Sequence, residues 1–179
     1  DKVHVESILH RLLEDHPALI SVLGFTEFIS EQPVYKIGKD NKPLLSDKRR
    51  RDRIDLIAAD VSQISQPSGL PYKSAHIVEL KSAGISIADR GIGSRLGEEA
   101  RKAVEQLNEY QRWLTSIPEN RLILEDIGWD LRIPRKFLIM GRTNEFSSNP
   151  GQLNEVRARL DEAGVLLFTV DEILDKATK

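Results

Sequence analysis

The chain has 179 residues, 40% of them hydrophobic and 30% charged, with a formal net charge of −2 and no cysteine. That length carries one domain with a real core but is short for two, and the composition excludes a disordered chain. The missing cysteines exclude disulfides, thiolate zinc sites and a cysteine nucleophile, and the near-neutral balance excludes nucleic-acid binding by bulk charge alone.

No apolar run approaches the roughly 20 residues that cross a bilayer. The opening Asp-Lys-Val-His-Val-Glu has no apolar stretch of the kind a signal peptide needs. A cytoplasmic protein with no membrane association is expected, which the cysteine usage also fits. The chain opens without Met and reads as an excised domain, the C-terminal part of a longer protein.

Val5, Ile8, Leu9, Leu12 and Leu13 recur at helical spacing until Pro17, and residues 18–23 read as a second short helix before Gly24. Residues 25–36 read as a strand that Pro33 confines to an edge or an end. The dense basic run Lys48-Arg49-Arg50-Arg51-Asp52-Arg53 is either a solvated loop or a local phosphate contact. Residues 53–61 form a strand candidate with Asp55 set among Ile54, Leu56 and Ile57. A Pro/Ser/Gly-rich loop, 62–74, leads to a second strong strand over 75–81. The glycine-bearing loop that follows carries Arg90 and Arg95 as candidate nucleic-acid backbone contacts. A long helix over 98–115 has Glu98 and Glu99 in its first turn, where the helix dipole favours them. Pro118 ends it. Strand 136–141, helix 150–163, strand 165–170 and a terminal helix 171–177 complete the pattern. The order predicts one α/β domain with a mixed central sheet flanked by helices.

Chemistry concentrates on two strands. Glu79 and Lys81 share a strand face because side chains alternate, and Asp55 converges on Glu79 if the two strands pair. Two carboxylates plus the backbone carbonyl of Leu80 make an oxygen-rich, incomplete shell suited to Mg²⁺ or Mn²⁺. Lys81 beside them can hold the attacking water and contact a scissile phosphate. The plainer alternative is a buried carboxylate–lysine pair, because ionised groups in apolar strands need partners. Gln106 and Tyr110, four apart, stack on one face of the following helix. Tyr110 can equally be a core residue. His4, His10 and His16 recur every six residues, a spacing that rotates them around a helix instead of gathering them. Trp113 and Trp129 read as packing residues.

Asp55…Glu79-x-Lys81…Gln106-x-x-x-Tyr110, in strand, strand, helix order, resembles the PD-(D/E)XK nuclease superfamily, and the Gln-x-x-x-Tyr element looks like its RecB-type branch. Ile54 stands where that superfamily often has Pro. The flanks narrow the resemblance. Glu6…His10…Leu13-Glu14-Asp15-His16-Pro17, Ile139-Met140-Gly141-Arg142 and the run Leu166 to Leu174 look like the Shedu family, nuclease domains of bacterial anti-phage defence proteins. The resemblance implies a restriction-endonuclease-like fold and a metal-dependent DNA endonuclease. It also implies a homo-oligomer, dimer or tetramer, with an N-terminal regulatory region outside this chain. Asp55, Glu79, Lys81 and Gln106 are then the catalytic set, and Arg53, Arg90, Arg95 and Tyr110 the DNA contacts. A first-helix carboxylate often joins such sites; Glu6 fits the helix motif better than Glu14. The competing readings are a catalytically silent nucleic-acid-binding or assembly module and a structural domain held by salt bridges. In the nuclease reading, removing one crowded carboxylate leaves the metal-free stability unchanged or raised.

Overall fold

A computed structural model describes residues 10–37, 52–61, 73–89, 95–131 and 134–177 of the chain. Among these, helix α1 (residues 10–15) leads into α2 (Ala18–Ser21), β1 (Glu27–Val34), β2 (Asp52–Val61) and β3 (Lys73–Leu80). Then come α3 (Glu98–Ser116), α4 (Pro118–Glu125), the two-residue β4 (Trp129–Asp130) and β5 (Lys136–Ile139). A 3₁₀ turn (Thr143–Phe146), α5 (Pro150–Glu162), β6 (Val165–Phe168) and α6 (Val170–Ala177) finish the domain.

The sheet is mixed, in the order β1-β2-β3-β5-β6. β1, β2 and β3 pair antiparallel, while β3, β5 and β6 run parallel. β4 lies beside the start of β3 and β5 beside its end. Pro33 sits on the edge strand β1, where no ladder amide is missed. Strand alternation sorts the side chains into two layers. Ile57, Ala59, Ala75, Ile77 and Leu138 pack under α3, α4 and α5. Leu56, Ala58, Val78, Leu80, Phe137 and Ile139 pack under α1, α2 and α6. Because both faces are covered, most of β3 is buried, as a central strand should be.

Residues 5–9 of the first expected helix lie outside the described residues; the other expected elements form, with shifts of one or two residues at most ends. α4 and β4 are additions. Pro118 does stop α3, but it also starts α4, since a helix tolerates proline in its first turn. The buried Asn120 stitches this corner: its amide bonds both the N–H and the carbonyl of Tyr35, at 2.8 and 2.9 Å. Trp113 and Trp129 are buried packing residues. At the start of α6, Thr169 and Glu172 form a reciprocal capping box, each side chain accepting the other's backbone N–H.

Candidate functional site

The β2–β3 register ends at the pair Leu56↔Val78. One residue further, Asp55 and Glu79 stand across from each other. Glu79 continues the α3-facing row of Ile77 and is fully buried, at 0% exposure. Lys81 Nζ lies 2.5 Å from Glu79 Oε1 and supplies the opposite charge that a buried carboxylate requires.

Asp55 breaks the alternation of its strand. Ile54 and Ile57 both pack in the α3 layer, while Leu56 packs in the other. Across the ladder stands Glu31, which adopts φ +48°, a conformation unusual for a residue with a side chain. At this break the Asp55 carboxylate reaches the backbone of β3, where Oδ2 accepts the Leu80 N–H at 2.8 Å. Its Oδ1 lies 3.6 Å from His10 Nε2 on α1. The Asp55 interaction holds His10 above the ordinary imidazole pKa against the opposing effect of burial, with Glu31 and Glu14 adding to it.

α3 closes the other side. Lys81 Nζ is 3.5 Å from Gln106 Oε1; Gln106 Nε2 donates to the Tyr110 hydroxyl, and that hydroxyl donates to the Arg53 carbonyl at 2.8 Å. The chain of bonds runs from Lys81 to the backbone two residues before Asp55. Tyr110 is only 2% exposed and packs edge-on against Trp113, so it serves as an anchor inside the fold, not as an open surface.

The remaining expected residues are dispersed. Arg53 is exposed and ion-pairs with Glu31 at 2.6 Å. Arg95 is exposed beside Arg101 and Arg159, around a shallow opening shared with Asp89 and Glu162. Glu14 is exposed and accepts a hydrogen bond from Ser30 at 2.6 Å. Glu6, Arg90 and most of the basic run at 48–53 lie outside the described residues.

The segment after Lys81 is held from the 3₁₀ turn that follows β5, the strand next to β3. Glu145 accepts hydrogen bonds from Ser86 Oγ and from the N–H groups of Ile87 and Ala88, the last two at 3.0 Å. Arg142 bonds Asp171 through Nε and Nη2, at 3.0 and 2.7 Å, and this pairing holds the Asp171 carboxyl below its usual range. Val170 N–H reaches the Gly141 carbonyl. The two C-terminal flanking motifs therefore grip each other, and their neighbour Glu145 grips the loop leaving Lys81.

Two residues of this arrangement escaped sequence reasoning. The six-residue spacing of His4, His10 and His16 set His10 aside, but it lies three before the buried Leu13, on the inner face of α1. A titratable group on the apolar face of a helix was the available signal. Glu145 lies in a short 3₁₀ turn with no periodicity to mark it.

Asp55 and Glu79 occupy facing ladder positions just past the last β2–β3 pair, and with the Leu80 carbonyl they are hard oxygen donors by chemistry. That set fits Mg²⁺ or Mn²⁺, which take one or two carboxylates and keep several waters. Among the described residues no group of three or more His, Cys, Asp and Glu side chains that could hold a metal ion exists, so His10, Asp55 and Glu79 do not form such a group. No helix of the described residues is long and apolar enough to cross a membrane. No curated protein matches the chain. The family model described as Shedu protein SduA, C-terminal, matches residues 4–174. With nearly its whole length matched, the chain belongs to the Shedu SduA C-terminal family.

Proposed function

We propose that this domain is a metal-dependent DNA endonuclease of restriction-endonuclease-like fold that hydrolyses phosphodiester bonds in anti-phage defence. Family membership supports the defence role. One observation carries the chemistry: Asp55, bonded to the Leu80 N–H, and the buried Glu79–Lys81 pair occupy facing positions at the end of the β2–β3 ladder.

In this reading Asp55, Glu79 and the Leu80 carbonyl hold Mg²⁺ or Mn²⁺. The bound ion supplies a Lewis acid for a phosphoryl oxygen and lowers the pKa of a water. Lys81 presents its ammonium to the scissile phosphate and orients the attacking water. Gln106 limits where that ammonium can swing, and Tyr110 fixes Gln106 to β2. Arg53 and Arg95 are exposed and suited to backbone phosphates, which fix position without reading sequence; Arg90 joins them by its place in the sequence. DNA is the partner, and the chain works as a homo-oligomer under an N-terminal regulatory region.

The test is cleavage of plasmid and linear DNA with Mg²⁺ or Mn²⁺. Lys81→Ala and Glu79→Gln are expected to lower kcat by about 10²–10³, the usual loss when a group aimed at developing charge is removed. Wild-type rates in Lys81→Ala would overturn the assignment.

A catalytically silent module is the second reading. It is favoured by the way Glu79 and Lys81 neutralise each other without a metal. DNA binding that survives EDTA, with no cleavage of any DNA form, would select it.

A further inference from the structure

His10 projects from the inner face of α1 toward β2. Its Nε2 meets Asp55 Oδ1 at 3.6 Å, and its Nδ1 is buried with no hydrogen-bond partner among the described residues. A buried polar atom without a partner is costly, so packing alone does not account for an imidazole here. The contact that accounts for it is the one to Asp55.

Asp55 is thereby approached from two elements. Leu80 N–H holds Oδ2 from β3, and His10 Nε2 stands within ion-pair reach of Oδ1 from α1. Each carboxylate oxygen accepts more than one interaction, so lone pairs remain for a cation. Groups that orient a ligand in this way commonly govern affinity as strongly as some ligands do.

We propose that His10 is a positioning residue for the Asp55 carboxylate, fixing its orientation jointly with the Leu80 N–H so that it meets the metal pre-aligned. The proposal rests on the metal-dependent nuclease reading and assigns α1 a part in the site that does not depend on a helix carboxylate.

The experiment measures Mn²⁺ binding by calorimetry and electron paramagnetic resonance for the wild-type chain, His10→Leu and His10→Gln. His10→Leu keeps bulk without a donor, and His10→Gln keeps an N–H that can reach a carboxylate. The expected result is Mn²⁺ binding weakened about 10–100-fold in His10→Leu and within about three-fold of wild type in His10→Gln. Wild-type affinity in His10→Leu, or equal weakening in both variants, overturns the proposal. So does nitrogen hyperfine coupling to Mn²⁺, which would make His10 a ligand itself. If His10→Leu does not fold, the wild-type chain answers alone. Saturation with Mg²⁺ is expected to shift the ¹⁵N resonance of His10 Nε2, and an unmoved resonance overturns the proposal. A wild-type chain that neither binds Mn²⁺ nor cleaves DNA removes the nuclease reading as well. One that does both, with His10→Leu binding equally, removes only this inference.

Discussion

Asp55 Oδ2 accepts the backbone N–H of Leu80 at 2.8 Å, so a β2 side chain, not a β2 carbonyl, meets the last β2-facing amide of β3. The amides of Ile77 and Lys81 point the other way, to Arg135 and Ile139 on the β5 side. The strands stop pairing where the two carboxylates stand. Asp55 is thus held by donors and not merely crowded by Glu79, which reverses the expectation that its removal leaves the metal-free protein no less stable. Asp55→Ala leaves the Leu80 N–H without its acceptor and should cost about 1–3 kcal/mol in urea unfolding without metal. Asp55→Asn keeps an acceptor and should cost less. Both should lose Mn²⁺ binding, and a variant that keeps it would remove Asp55 from the metal site.

Tyr110 gives a sharper separation of roles. At 2% exposure it cannot meet DNA without unpacking, yet its hydroxyl links Gln106 to the Arg53 carbonyl. Tyr110→Phe keeps the ring packing and removes the hydroxyl that makes that link. The expected outcome is a loss of about 1 kcal/mol of stability. Cleavage should show a lower kcat, KM for DNA unchanged, and unchanged DNA binding in EDTA. A raised KM with kcat intact would instead make Tyr110 a DNA contact.

The sequence shows the sheet and the Glu79–Lys81 pair because charged residues inside apolar strands stand out against period-two patterning. Gln106 and Tyr110 are legible for the same kind of reason, since a four-residue spacing puts them on one helix face. What the hydroxyl of Tyr110 bonds to is not legible, because Arg53 lies 57 residues earlier and the contact is to its backbone. The direction of the Asp55 side chain is hidden too. Strict alternation would keep Ile54 and Ile57 in opposite layers, and the break lies opposite Glu31 with its positive φ, a long-range pairing that periodicity does not show. α4 is missed because a proline marks the end of one helix and the start of another equally well.

His76 gives a pH dependence whose sign can be worked out. It is buried between Phe25 and Phe137, its Nδ1 accepts the Arg135 N–H at 3.1 Å, and Asp60 Oδ1 lies 3.3 Å from Nε2. Burial, only partly offset by Asp60, pushes its pKa below the ordinary imidazole value. Below about pH 6.5 the unfolded chain takes up a proton that the folded chain resists. Stability contributed by neutral His76 is therefore present above that pH and is lost as pH falls toward the depressed folded value. The slope is at most about 1.4 kcal/mol per pH unit. His76→Asn keeps an acceptor for the Arg135 N–H but does not titrate, so its stability between pH 7 and 5 should fall less steeply than wild type. Identical slopes in urea titrations across that range would contradict this origin.

The loop leaving Lys81 depends on a backbone position that cannot carry a side chain. Gly141 has φ +64°, and a Cβ there would sit 2.5 Å from Ile87 Cγ1 and 3.1 Å from the Ile85 carbonyl. Gly24 has a similar φ of +88°, but its added Cβ would meet nothing within 4 Å. The two glycines separate conformational strain from collision. Gly24→Ala should cost only the left-handed penalty, about 1–2 kcal/mol. Gly141→Ala must also displace Ile87 from a packed core, which adds about 1–3 kcal/mol. Because Ile87 is buried in the segment that Glu145 clamps, its displacement should reach the start of that segment at Lys81. Gly141→Ala is therefore expected to slow cleavage beyond its thermal destabilisation, when assayed well below its melting point. Gly24→Ala, far along the chain from that segment, should leave the rate unchanged. Equal melting temperatures for the two variants would mean that Ile87 yields without strain.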